Sequence, residues 1–183
     1  MARPAEPGRT ALLDAGTRVL AAEESSGWGS LSANAVVAEA AMSKGAFFHH
    51  FPTRRDFVVE LHARFHAEAS AAINSAIAPL APGAGRIAAG ITAYLDFCLS
   101  RADAKAFLFQ ARADSDLAEC VATMNEHFAS SMVRDLRAAG WARPKETARL
   151  AVASVAEVAL IEKDQGRASR RHRQALRALL HLF

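Results

Sequence analysis

The sequence has few of the features that mark secreted, membrane-spanning or disulfide-bonded proteins. It contains only two cysteines, Cys98 and Cys120, which are too few for a disulfide framework and are more often reduced core thiols than redox sensors. Residues 1–8 are polar and contain two prolines, so they do not resemble a signal peptide. The longest stretch without charge, 69–85, is interrupted by Pro79 and Pro82 and does not predict a membrane span. We therefore expect a cytoplasmic protein with no membrane partner.

Motifs for catalysis are missing as well. The chain has no Gly-rich phosphate loop, no serine at a nucleophile elbow and no pair of carboxylates isolated in apolar surroundings. His62 and His66 lie four residues apart and share a helical face, but no acidic or cysteine ligand follows at a matching spacing. We expect no enzyme, no cofactor and no metal, and we interpret this pair as partly exposed. An all-helical enzyme or metal-binding protein that uses these two histidines is the alternative.

The charge distribution permits nucleic-acid binding without demanding it. The net charge is +3 and the pI is near 9.2, yet six Lys and Arg face seven Asp and Glu in residues 1–60. Binding to DNA would therefore depend on where the cations are placed. The densest basic run, 167–177, is interpreted as the solvated face of a helix, with a surface for acidic partners as the alternative.

The segment 43–57 is the most informative part of the chain. Ser43 is a good N-cap, and Pro52 pushes Phe51 out of the helical region, so a helix of barely two turns is predicted between them. Thr53 can cap the next helix, and Asp56 three residues later completes an approximate capping box. So short a helix needs packing partners.

Two helices upstream provide those partners. Apolar or small residues recur at three-and-four spacing over 9–24, and the stretch 25–27 breaks this first helix. Ser32 caps a second short helix through Ala40, and a tight turn then leads to Ser43. This arrangement indicates a three-helix helix-turn-helix unit, with an ordinary helical hairpin as the alternative.

The same residues resemble the tetracycline-repressor (TetR) family of bacterial transcription regulators. The family's recognition-helix motif is matched by Ser43, Lys44, Gly45, Ala46, His49, His50 and Phe51, while Gly27 and Val36 match positions further upstream. The resemblance implies a DNA-contacting set of Ser32, Ser43, Lys44, Gly45, Ala46, Phe48, His49, His50 and Arg54. It also implies a DNA-binding domain over 1–53 and an effector-binding and dimerisation domain over 54–183.

Two residues depart from the family pattern. Ala41 replaces a turn glycine and Phe48 replaces a tyrosine whose hydroxyl touches the DNA backbone. Each change is expected to cost on the order of 1 kcal/mol, so both are tolerable, although Phe48 removes one phosphate contact.

Everything after residue 53 reads as helix, which predicts an all-α fold of about nine helices. The last two, from Pro144 to Lys163 and up to Phe183, have more apolar surface than one core contact requires, including Val155 and Leu179. The resemblance implies that these helices pair across a two-fold axis in a homodimer. The alternative is an intramolecular bundle.

Aromatic residues cluster in the C-terminal part, from four predicted helices. The predicted ligand-binding set is Phe65, Tyr94, Phe97, Phe107 and Phe128, with Gln110, Asn125 and His127 as polar neighbours. A plain hydrophobic core is the alternative to a pocket. Because no buried charge is evident in these helices, we expect an apolar small-molecule effector.

Together these features predict a dimeric transcriptional regulator, most simply a repressor, released from a palindromic double-stranded DNA operator by that effector. A DNA-binding protein without a ligand is a further possibility.

Overall fold

A computed structural model describes residues 6–22, 31–101, 103, 104, 107, 111 and 117–182. Within these residues there are eight helices and no strand. They are α1 (Glu6–Ala22), α2 (Ala33–Glu39), α3 (Lys44–His50), α4 (Arg54–Ile77), α5 (Ala84–Ser100), α6 (Ala118–Ala138), α7 (Pro144–Gln165) and α8 (Arg170–Leu179). The predicted all-α class is confirmed, with a helix count close to nine. The predicted break at 25–27 lies outside the described residues, and so do most of residues 104–113, where the sequence predicts a short apolar helix.

In the N-terminal unit, the first turns of the helices are capped as the sequence predicts. Ser43 Oγ accepts a hydrogen bond of 3.1 Å from Ala46 N, and Ser32 Oγ caps α2 in the same way. The capping box of α4 is complete, because Thr53 N donates to Asp56 Oδ2 at 3.0 Å and Asp56 N donates to Thr53 Oγ1 at 3.1 Å. These side chains satisfy backbone donors that each helix start leaves open.

The first two turns of α4 pack with α1–α3 in one core, which we call the head. The Phe57 ring lies 5.2 Å from the Phe47 ring and 4.9 Å from the Phe51 ring. Gly16 of α1 admits this ring, since a Cβ there would come within 2.6 Å of Phe57 Cζ. The head therefore continues past residue 53 to about Leu61, and α4 extends from it into the rest of the protein.

The turn between α2 and α3 strains one residue. Ala41 has φ +51°, in the left-handed region that favours glycine. Met42 N donates to Val37 O at 2.9 Å and Ala41 N donates to Ala38 O at 3.3 Å, the two bonds of a Schellman motif. The side chain of Ala41 thus occupies the position that a glycine fills without strain.

Ala41→Gly is expected to stabilise the protein by about 0.5–1 kcal/mol, because glycine adopts this φ without the Cβ penalty. Urea unfolding at equilibrium measures the change. Ala38→Gly, an exposed substitution inside α2, is the matched control and should destabilise by a similar amount. Equal shifts for both variants would contradict the strain at Ala41.

The remaining helices build the body of the protein. α4 packs on α5, α6 packs on α7, and α5 lies between α4 and α7. The terminal α8 is held by Arg173, which donates to both Glu162 oxygens and to Asp96 Oδ1, each at 2.7 Å. Part of the basic run is therefore an ion-pair anchor rather than a solvated face. Within the described residues, no helix has the length and apolar character needed to cross a membrane.

Candidate DNA interface and ligand cavity

α3 presents one exposed face to solvent. Lys44, Gly45, Phe48 and His49 are all exposed. Phe48 follows Lys44 by four residues and His49 follows Gly45 by four, which places all of them on one side of the helix. Phe48 keeps 44% of its surface accessible although its edge touches Phe47. We call these four residues the α3 face.

Gly45 has no packing reason to be glycine. A Cβ built on it would meet only Ser43 Oγ, at 3.8 Å, which is ordinary contact. Glycine in a helix is unfavourable by about 1 kcal/mol relative to alanine. Nothing within the described part of the protomer therefore requires a glycine at this position, and a larger side chain would fit.

The two adjacent histidines have different surroundings. His49 is exposed on the α3 face, whereas His50 is half-buried with its ring against α1, where a Cβ on Gly8 would come within 2.6 Å of His50 Nε2. Arg9 reinforces this contact, since its Nη1 donates to His50 O at 2.9 Å and its Nε donates to Glu60 at 2.6 Å. His49 is thus the better placed to reach DNA, a distinction that the sequence did not provide.

Three other predicted DNA contacts also have roles within the head. Arg54 Nε donates to Leu31 O at 3.0 Å and so fixes the start of α4 to the segment before α2. The Ser32 side chain is exposed but its oxygen caps α2, and Ala46 is half-buried. Replacement of Arg54 would therefore disturb the head as well as any phosphate contact.

A cavity of about 90 Å³ lies in the body, between α4, α5, α6 and α7. Its apolar wall consists of Ile73, Ile77, Ile87, Gly90, Ile91, Phe107, Val121, Phe128, Met132, Val152, Val155 and Ala156. Its polar lining consists of His62, His66, Arg86, Tyr94, Asn125, Ser131 and Asp135. An apolar enclosure with a few polar groups is typical of small-molecule sites.

The predicted aromatic set divides into wall and core. Tyr94, Phe107 and Phe128 line the cavity. Phe65 is stacked behind Phe107 with ring centroids 4.2 Å apart, and Phe97 packs on Phe65 at 5.2 Å, so neither ring is part of the lining. Of the predicted polar neighbours, Asn125 is in the lining and His127 is not, while Gln110 lies outside the described residues.

The expectation that His62 and His66 are partly exposed is wrong. Both are buried in the cavity wall, and their Nε2 atoms are 3.2 Å apart, a hydrogen-bonding distance. Desolvation lowers the pKa of His62 to about 4, and desolvation together with repulsion from His62 lowers the pKa of His66 to about 3. Both rings are neutral near pH 7. Among the described residues, no cluster of three or more His, Cys, Asp and Glu side chains could hold a metal.

The expectation of no buried charge is also wrong. Asp135 of α6 is 6% exposed and lines the cavity, with its Oδ2 3.3 Å from Arg86 Nε of α5. The sequence offers a weak signal for this pair, since Asp135 interrupts an apolar stripe between Met132 and Leu136. Its burial depends on how α5 and α6 pack together.

The helix-turn-helix head and its helical body define a DNA-binding regulator of the bacterial type. Residues 12–61 match the model of the tetR family of bacterial regulatory proteins, which confirms the predicted resemblance. A search of curated proteins finds no match.

Solved structures share the fold over nearly the whole chain. A transcriptional regulator from Rhodococcus sp. RHA1 is 20% identical, with 95% of this chain and 94% of that one covered at a TM-score of 0.77. A TetR-like transcriptional regulator from the same organism is 15% identical, with coverage of 98% and 97% and a TM-score of 0.78. The multidrug binding protein EbrR, complexed with imidazole, is 22% identical, with coverage of 94% and 92% and a TM-score of 0.66. At these identities the likeness is one of fold.

Proposed function

We propose that the protein is a homodimeric transcriptional repressor that binds a palindromic operator through α3 and is released by a small molecule bound in the cavity. The observation that carries this proposal is the course of α4. Its first turns are part of the head through Phe57 and Leu61, and its later turns line the cavity through His62, His66 and Ile73. One continuous helix therefore runs from the core of the head to the wall of the cavity. Because the proposed partner is genomic DNA, we expect the protein to act in the bacterial cytoplasm.

The proposed mechanism is a shift between two arrangements of the heads. An effector that binds better to the arrangement unsuited to the operator lowers DNA affinity by its differential binding free energy, typically about 1–3 kcal/mol. The similar fold of EbrR, a multidrug binding protein, supports a ligand-binding role for the body. The apolar wall favours a ligand that is mostly apolar.

DNA binding is tested by selecting bound fragments from genomic DNA and then measuring affinity by gel shift across salt concentrations. Lys44→Ala is expected to reduce the slope of log affinity against log salt by roughly one per half-site, because a phosphate contact is lost. Lys145→Ala removes the same charge from an exposed position on α7 and should leave the slope unchanged. Failure to select any fragment would refute the DNA-binding proposal, and an unchanged slope for Lys44→Ala would exclude this lysine from the interface.

The homodimer is proposed to form through exposed apolar residues of α7 and α8. Leu150 is 69% exposed and Leu179 is 64% exposed in the protomer, which leaves both large side chains available to a second copy. Val155, predicted to lie on the same surface, is instead buried in the cavity wall. A two-fold symmetric dimer would bind a palindromic operator more tightly than a monomer, because it combines the binding energies of two half-sites.

Leu150→Asp and Leu179→Asp are each expected to yield folded monomers, because a charge buried without a partner in a dimer interface costs several kcal/mol. Analytical ultracentrifugation measures the mass, and circular dichroism checks the fold. Leu80→Asp, at an exposed leucine in the loop after α4, is the control and should remain dimeric. Intact dimers for both variants would place the interface elsewhere.

A further inference from the structure

A series of ion pairs connects the head to the body across α4. Arg64 of α4 pairs with Asp14 of α1, with Nη2 and Oδ1 2.5 Å apart, and its Nε donates to Glu68 Oε1 at 3.1 Å. The other oxygen of Glu68, Oε2, accepts a hydrogen bond from Arg101, the residue that ends α5. These four residues thus link α1, α4 and α5 through shared charges, and we call them the ion-pair network.

The body end of the network is held in place. Arg101 donates to both carboxylate oxygens of the buried Asp103, at 2.8 and 2.7 Å. Its guanidinium carbon lies 5.6 Å from the centres of the Phe65 and Phe97 rings, and Lys163 of α7 donates to its backbone oxygen. A guanidinium already fixed in this way loses little further freedom when it pairs with α4. Several charges that share partners in this way contribute more than isolated surface pairs do.

The network spans the point at which α4 leaves the head. The head core ends at about Leu61, and Arg64 and Glu68 lie on the turns that follow. Because α1 packs on α2, α3 and α4, Asp14 moves with the head. Thr53, the N-cap of α4, precedes Arg64 by eleven residues, which corresponds to about 16 Å along the helix. A tilt of about 10° at Arg64 would displace the far end of the head by about 3 Å, close to the rise of one base pair of about 3.4 Å.

We infer that the ion-pair network fixes the tilt of each head on the body and thereby sets which spacing of operator half-sites the dimer accepts. Apolar packing holds the head on α4, but α4 is a long helix and can bend where it leaves the head. The network resists this bending, because it connects α1 to α5 through α4. Its members are positioning residues, since they act on DNA only through the head. The inference rests on the proposed function in taking two heads bound to one operator.

The test varies the spacing between the half-sites of the operator. Versions of the selected DNA carry one base pair more or one fewer at the centre, and gel shifts with the full chain measure the affinity for each. One base pair moves the half-sites by about 3.4 Å and rotates them by about 34–36° relative to each other. The parent protein is expected to bind either altered operator at least about tenfold more weakly, because both heads cannot then reach their half-sites together. We call this ratio the spacing penalty.

Arg64→Met keeps an unbranched side chain but removes both ion pairs of this residue. It should reduce the spacing penalty to less than about threefold, because each head can then tilt to meet its half-site. Arg149→Met is the matched control, since it removes an exposed arginine that pairs with Glu126 between α6 and α7, within the body. This control should keep the parental penalty. Thermal unfolding checks that both variants are folded.

Substitutions at the two ends of the network show whether it acts as one unit. Asp14→Asn and Arg101→Met should each lower the spacing penalty as far as Arg64→Met does, and the double variant should lower it no further. Independent effects at two separate residues would add instead. The same two variants decide the matter if Arg64→Met does not fold.

A measurement without DNA separates this inference from the proposed function. Spin labels are placed at Ala38→Cys in the head and Ser130→Cys in the body, both exposed positions, in a Cys120→Ser protein whose Cys98 is buried. Labelled chains are refolded with an excess of unlabelled chain, so that pulsed electron paramagnetic resonance records distances within one protomer. The parent should give one narrow distance distribution, and Arg64→Met a clearly broader one.

Three results would overturn the inference: an unchanged distance distribution in Arg64→Met, a parental spacing penalty in that variant, or additive effects of the two end substitutions. A parent protein that binds all operator spacings equally would overturn it as well. A broader distribution in Arg64→Met together with failure to select any DNA fragment would instead refute the DNA-binding proposal and support the hold of the network on the head.

Discussion

Gly45→Val is expected to leave the protein folded and dimeric while weakening operator binding by roughly 30- to 1,000-fold. The protomer has room for the new side chain, because a Cβ at this position meets only Ser43 Oγ at 3.8 Å. On DNA, the branched side chain would hold the start of α3 away from the duplex. Loss of about 1–2 kcal/mol of contacts at each of two half-sites gives the stated range.

Gly85→Val is a closely matched control for this change. Gly85 is the second residue of α5, as Gly45 is the second residue of α3, and a Cβ at either position would meet no close neighbour. Gly85 lies on the body, away from the head, so its replacement should not affect gel-shift affinity. Chemical denaturation should show that both variants are at least as stable as the parent, since valine is a better helix former than glycine. Normal operator affinity in Gly45→Val would disprove close approach of α3 to DNA at this residue.

Acidification from pH 6.5 to pH 4 is expected to destabilise the protein by at least about 3 kcal/mol through the buried histidine pair. The pKa of His62 in the folded state is about 4, against 6.5 for an unperturbed histidine, and each unit corresponds to about 1.4 kcal/mol. Because folding lowers the pKa of both histidines, the unfolded chain binds more protons than the folded chain at pH values between the folded-state and unfolded-state pKa. Stability is therefore complete above pH 6.5 and is lost as the pH falls through the folded-state values.

Urea unfolding at a series of pH values measures this dependence. His66→Leu removes one of the two groups and should flatten the curve between pH 6.5 and 4. Phe128→Leu changes the same cavity wall without removing a titratable group, so it should lower stability at every pH and leave the slope unchanged. A His66→Leu protein with the parental slope would show that this histidine is not the source of the acid sensitivity.

The N-terminal unit was predicted in detail because its signals are local. Ser43, Thr53 and Asp56 bond to backbone groups within three residues, and Pro52 restricts the residue directly before it. Such interactions act over one helical turn and need no knowledge of the rest of the fold. The strain at Ala41 followed instead from the family resemblance, which implies a glycine at this turn position. The tetR family model matches this same region, residues 12–61, in agreement with the prediction of a helix-turn-helix unit.

Tertiary structure decided which side of each later helix faces the interior. His62 and His66 share a helical face by sequence, but only the packing of α4 against α5 and α6 buries that face and makes both rings neutral. The same packing places the Phe65 ring in the core and the Phe128 ring in the cavity wall. The sequence pattern did not distinguish the two, because both are aromatic residues on predicted helices.

The sequence by itself determined the helices, their caps and the DNA-binding motif, because those depend on contacts within a few residues along the chain. The burial of Asp135 beside Arg86, and that of Val155 inside the protomer rather than on its surface, were decided by the tertiary structure. Helices that are apolar on more than one side can place either side inward. Which side faces inward is decided by the helices packed against them, and those helices lie far away in the sequence.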